Sequence, residues 1–194
     1  MSKRNLKPGA MIYPLPVAII SCGRSADEYN LFTTSWMGTL SSDPPTCYIS
    51  IKPNRHSHQI IKESMEFVIN LTTVQLLNEL DFCGMNSGSS INKFEDTCLT
   101  YEFGKVVCAP TIVESPVNIE CSVKSIMNFG SHDMFIAEIV NVKIREDLID
   151  ANSNRVMLDK LQLLAFSYGN YHALGEVVGK YGMSSKNRTI VNNY

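Results

Sequence analysis

The stretch "TTSWMGTLSSDPP", residues 33–45, carries three Thr, three Ser and the only Trp of the chain within thirteen positions. Strand side chains alternate between faces, so Thr33, Ser35 and Met37 share one face and Thr34, Trp36 and Gly38 the other. Small hydroxyls on both faces contribute little to burial. They suit a polar, planar ligand laid along the strand, with hydroxyls and backbone N–H groups as donors and Gly38 allowing close approach. A Thr-rich edge strand closed by a Pro turn competes with that reading, because Thr favours strands on its own account. "SSDPP" then bends the chain and presents Ser41 and Ser42 at the bend.

A second stretch, "KPNRHSHQII", sets Arg55 and Ser57 just ahead of a predicted helix. The opening N–H groups of a helix lack internal partners and favour negative charge, so a guanidinium fork and a hydroxyl placed there make a phosphate site. Ser57 acting only as a helix cap explains the same residue without a ligand. His56 and His58 flank it, but two histidines two apart on a loop, without a nearby Cys or carboxylate, do not make a metal site. A third stretch, "NFGSHDMFIAEI", puts His132 at a tight turn beside Asp133, either a solvated turn residue or a group facing a ligand. Lys93, in "INKFE", is a lone cation on a polar link, where most lysines are simply solvated.

Other chemistries are excluded. No Gly-rich stretch has the strand and helix context of a dinucleotide cradle, and neither G-x-S-x-G nor H-E-x-x-H occurs. The six cysteines contain no C-x-x-C pair, which argues against zinc and a redox dithiol and for buried, reduced thiols. A net charge of −2 gives no reason to expect nucleic acid. The apolar run "MIYPLPVAII" is broken by two prolines and too short for a membrane helix, so a cytoplasmic location without membrane attachment is expected.

The elements that position these residues are short. "PVAIISC" and "LFTTSWMGTL" read as a hairpin, "TCYISIK" as a strand, "SHQIIKES" as a helix and "EFVINLT" as a strand. Residues 73–84 read as a helix ending near Gly84, followed by a flexible polar link at 85–96. Two long β-rich runs separated by "GSHD" predict an antiparallel pair. About six strands with small helices between them give a mainly β barrel with added helices, read as one domain over 1–194 with a core at 11–184 and a polar tail at 185–194.

In this order, "YPLPVAIIS", "TTSWMGTLSSDPP", "SIKPNRHSHQIIKES", "EFVINL", "DFCGMNSGSSINKF", "SPVNIEC", "GSHDMFIAEI" and "YGNYHALGEVVGKYG" resemble the flavin reductase-like FMN-binding split-barrel family, and within it the flavoredoxin-like branch. The resemblance implies a six-stranded Greek-key split β-barrel working as a homodimer, with FMN held noncovalently near the subunit interface. It implies that Thr34, Ser35 and Trp36 run along the isoalloxazine, while Thr39, Ser41 and Ser42 approach the ring edge, ribityl chain or phosphate. Arg55 and Ser57 match the family's phosphate-binding segment, and Lys93 falls in a loop reaching toward the same cofactor. His132 matches a histidine turn close to the flavin and is the catalytic candidate, placing a hydride donor or stabilising a reduced ring. Ser131, where many relatives carry Asp, and Asn92, where Asp is frequent, each remove a carboxylate. The implied activities are an FMN-dependent oxidoreductase with NAD(P)H as electron donor, an electron carrier exchanging with a redox protein partner, or a barrel without FMN that serves as a binding module.

Overall fold

Strands form where β-branched and apolar residues run together, and Pro, Gly and Asn/Asp clusters separate them. The computed structural model describes residues 1–185, so all but the first residue of the predicted polar tail lies outside the described residues. The first half contains β1 (Leu15–Pro16), β2 (Ala18–Cys22), β3 (Asn30–Thr34), β4 (Met37–Ser42), β5 (Pro45–Ile51), α1 (His56–Ser64), β6 (Glu66–Leu71), α2 (Leu77–Met85) and α3 (Lys93–Thr97). The second half contains β7 (Tyr101–Glu102), β8 (Thr111–Ile112), β9 (Val117–Asn128), β10 (Asp133–Ile144), β11 (Leu164–Ser167) and β12 (Asn170–Ala173).

Seven strands make one antiparallel sheet in the order β3-β2-β6-β9-β10-β5-β4. Its two edge strands, β3 and β4, are joined by Ser35 and Trp36 alone. A flat sheet of this order would hold its edges roughly 29 Å apart, because neighbouring strands lie about 4.8 Å from each other, while the link reaches only about 11 Å. The sheet must therefore roll up until its edges approach, and the β4–β5 pairing runs up to the link itself, where Ser50 N donates to Trp36 O over 2.8 Å. Residues 31–40, read from sequence as one extended run, belong to one barrel strand over 30–42 that is broken at Ser35–Trp36. That break accounts for seven hydrogen-bonded strands where six were expected.

The barrel interior is filled by Ile20, Met37, Ile49, Phe67, Ile69 and Phe135 with their neighbours. A second cluster, including Ile19, Leu31, Leu80, Cys83 and Phe94, packs α2 and α3 on the outside of β2 and β3. β2 is buried throughout because it serves both clusters, which is why "AIISC" does not alternate. β9 and β10 form the predicted long antiparallel pair.

Two expectations are corrected. The helix ends near Gly84 as expected, at Met85, but it starts later than expected, because a 3₁₀ turn at Val74–Leu76 precedes it. Gly84 also lets α2 lie close to β3: a Cβ there would come within 3.2 Å of the Thr33 side chain, a tight contact. The polar link at 85–96 is likewise not free chain, since it folds into α3 and packs Phe94 and Lys93 into the body. Cys22, Cys47, Cys83 and Cys121 are buried, Cys98 and Cys108 are exposed, and all six are unbridged. No helix among the described residues is long and apolar enough to cross a membrane.

Candidate functional site

A cavity of about 240 Å³ lies where the barrel strands break, between β3, the start of α1, the end of α2 and the β9–β10 turn. Three cations line it, Lys52, Arg55 and Lys93, and no Asp or Glu does. Lys93 is the unusual one, at 4% exposure. Its Nζ donates to Leu31 O and to Cys83 O, each over 2.7 Å, which leaves one of three ammonium protons unused. Burial holds its pKa below the ordinary lysine value; the Cys83 and Cys22 thiols oppose that shift and Arg55 adds to it. A buried ammonium without a carboxylate is costly, and an anion in the cavity offsets that cost.

Arg55 is the residue immediately before α1, in extended conformation, and makes no ion pair among the described residues. Ser57 is not the helix cap: it is the second residue of the helix, buried, and its Oγ accepts from Asn30 Nδ2 over 2.7 Å. Its own hydroxyl proton stays available. The helix start therefore brings a guanidinium, a hydroxyl and unpaired N–H groups to one end of a cavity that already carries positive charge.

At the other end the rings of Trp36 and His132 stack, with centroids 4.4 Å apart and planes 33° from parallel. Ser131 Oγ and His132 Nδ1 are 2.9 Å apart. Partial burial, with Lys52 nearby, holds the His132 pKa below its ordinary value, so the imidazole is neutral at physiological pH.

Residues 10–175 match the family described as "Flavin reductase like domain". The chain belongs to that family. A curated protein of Archaeoglobus fulgidus, described only as uncharacterized, is 35% identical over 131 residues, covering 68% of this chain and 73% of that protein. Among solved structures, flavoredoxin of Desulfovibrio vulgaris superposes with a TM-score of 0.87 at 25% identity, over 95% of this chain and 100% of that one. An FMN-binding protein from Thermus thermophilus shares the fold at 23% identity, with a TM-score of 0.77 over 93% of this chain and 97% of that one. The flavin reductase-like split barrel expected from the sequence is thus the fold of this chain.

The structure of this flavin reductase-like chain brings Thr34, Ser35, Trp36, Arg55, Ser57, Lys93 and His132 to one cavity. It does not bring Thr39, Ser41 and Ser42, which β4 carries away along the opposite edge. There Thr39 faces Cys47, Ser41 faces Thr46, and Ser41 Oγ is taken up by Asp43. The strict alternation of 33–38 also fails at the break, since Thr33, Thr34, Ser35 and Trp36 all line the cavity. Thr33 Oγ1 is spent on Leu80 O and Thr34 Oγ1 on Trp36 N, which leaves Ser35 as the strand hydroxyl without a partner among the described residues.

Sequence reasoning missed three contributors. Lys52 stood unremarked in "KPNRHSHQII". Asn30, which orients Ser57, ends a polar turn that looked like plain punctuation. Gly88 closes the loop onto Asn30, and nothing local signals so distant a contact. A larger cavity of about 730 Å³ lies elsewhere; Glu79, Glu114, Arg145 and Lys160 line it, and charges of both signs give it no comparable preference for anions.

Proposed function

We propose that the cationic cavity holds the phosphate end of FMN and that the protein passes electrons from a reduced donor through the bound flavin to an acceptor. The observation that carries this reading is the set Lys52, Arg55 and Lys93 around one cavity free of carboxylates. Bound FMN supplies the redox chemistry. Arg55, with its planar fork, and the α1 N–H groups hold the phosphate, Ser57 donates its free proton to it, and Lys93 balances its charge from below. Trp36 and His132 offer a flat wall toward the ring, and Ser35 a hydroxyl at its edge. The neutral His132 adds no fourth positive charge, so it leaves the electrostatics of the anion end unchanged. No acid, base or nucleophile of unusual type is needed, because in a flavoprotein the protein supplies position, hydrogen bonds and exclusion of competing reactions.

NAD(P)H as the donor makes the protein a flavin reductase. The second reading, an electron carrier served by a redox protein partner, is favoured by the likeness to flavoredoxin over the whole of that chain. A homodimer belongs to both readings and is supported by the exposed apolar side chains of Phe129, Val178 and Tyr181. The test is direct. Purified protein supplemented with FMN should turn and stay yellow, and Arg55→Ala should weaken FMN binding by about 2–3 kcal/mol, the size of a lost charge-assisted contact. Anaerobic bleaching by NADH or NADPH selects the reductase; bleaching only by a reduced protein donor selects the carrier. No uptake of FMN overturns both and leaves a binding module.

A further inference from the structure

The β9–β10 turn is fastened to the start of α1 by one contact, His58 Nε2 to Asp133 Oδ2 at 2.8 Å. His58 is 4% exposed, and its ring packs edge-on against Phe135 at 5.2 Å between centroids. Asp133 Oδ1 accepts from Asn128 Nδ2 over 2.6 Å, and these bonds, Asn128 first and His58 next, hold its carboxyl below the ordinary carboxylate range. The turn is braced internally as well, by Phe129 N to His132 O at 2.8 Å. Both members of the pair adjoin residues of the cavity: His58 follows Ser57, and Asp133 follows His132.

We infer that His58 and Asp133 are positioning residues, whose contact sets the His132 ring against Trp36 and ties that stacked pair to the helix start bearing Arg55 and Ser57. The pair acts through its neighbours and touches no ligand itself. Its consequence for flavin reduction rests on the reading above, but the geometry it controls exists in the chain alone. Hydrogen bonds within the turn set its own shape, and the bond from Asp133 to the buried His58 imidazole fixes that shape relative to α1, so that the ring is held at one angle over an exposed indole.

Trp36 is the only Trp in the sequence, so intrinsic fluorescence reports on this stack directly. Protonated imidazole quenches indole emission. In flavin-free protein the emission therefore drops as pH falls through the His132 titration, with a midpoint below about 6.5. The groups facing His132 are Ser131 on its own turn, Lys52 from the β5–α1 link, and Arg55, His56 and Lys93 across the cavity. His132→Ala must abolish the step, which assigns it. Asp133→Asn, which keeps the shape and removes the charge, and His58→Phe, which keeps the packing on Phe135 and removes the bond, are expected to lose most of the step and to bring what remains toward the ordinary histidine midpoint. His58→Gln, still able to hand an N–H to Asp133, is expected to keep it. An unchanged step in folded His58→Phe overturns the inference, and that variant decides alone should Asp133→Asn fail to fold. Failure of the parent protein to take up FMN would sink the proposed function and leave this outcome untouched.

Discussion

Asn30 Nδ2 donates to Ser57 Oγ across 2.7 Å, and both residues are buried. The first residue of β3 thereby fixes a hydroxyl in the first turn of α1, with the lone pair used and the proton left over. Asn30→Ala removes the fixing partner and leaves a buried hydroxyl without its donor. We expect a loss of about 1–2 kcal/mol in urea unfolding at neutral pH, together with weaker FMN binding. Unfolding midpoints that coincide with the parent would show that water replaces the amide at no cost.

Gly88 tests the same linkage from the other side. A Cβ at that position would sit 2.0 Å from Asn30 Oδ1 and 2.7 Å from its Cγ, closer than any real contact, so the Asn30 side chain or the loop must move. Gly88→Ala is expected to cost about 1–3 kcal/mol, in the range of an overpacked interior. If the Asn30 side chain is what moves, the loss in FMN affinity matches that of Asn30→Ala and the double variant shows less than the sum of the two, whereas full additivity shows that the loop moves instead.

Lys93→Met separates folding from binding. Removing the buried ammonium relieves its desolvation but strands the Leu31 and Cys83 carbonyls, two effects of opposite sign and similar size. The flavin-free variant should therefore unfold within about 1–2 kcal/mol of the parent. A ligand that binds only the folded state stabilises it by about 2.7 kcal/mol at a hundredfold excess over Kd. FMN should raise the parent Tm accordingly and raise that of Lys93→Met much less. An equal rise in both would remove Lys93 from the site.

The same contrast shows what could be read from the sequence. Arg55 and Ser57 were legible because a helix start makes a local promise about N–H groups, and His132 because a turn sits where two long β runs meet. Thr39, Ser41 and Ser42 were grouped with Thr34 through the family resemblance of one continuous stretch, yet sequence cannot show that the strand breaks at Ser35–Trp36 and crosses from one sheet edge to the other. Lys93 looked solvated because the fold of 85–96 onto β3 depends on the remote partners Leu31 and Asn30. Thr39→Val, Ser41→Ala and Ser42→Ala are accordingly expected to leave FMN binding within about 0.5 kcal/mol of the parent, the usual span of surface changes, while Ser35→Ala weakens it. A large loss in the β4 variants, measured by flavin fluorescence titration, would restore them to the site.

Glu120 predicts how the barrel behaves in acid. Its side chain is 1% exposed and accepts from Val106 N at 2.7 Å, Val107 N at 3.0 Å, Lys105 N at 3.0 Å and Asn141 Nδ2 at 2.6 Å. Burial pushes this carboxyl up, but those donors together pull it below its ordinary value of 4.5. A carboxyl whose folded pKa lies below the unfolded one contributes stability that is complete above 4.5 and lost as pH falls through the folded pKa. Glu120→Gln offers one carbonyl oxygen and an unwanted amide donor to four N–H groups, and should cost about 3 kcal/mol near neutral pH. The deficit should shrink progressively in unfolding curves recorded at pH values falling below 4.5, where the unfolded carboxyl binds its proton and the parent loses the same advantage. Equal deficits in neutral and acid solution would mean that shape, rather than charge, holds the 105–107 loop against β9.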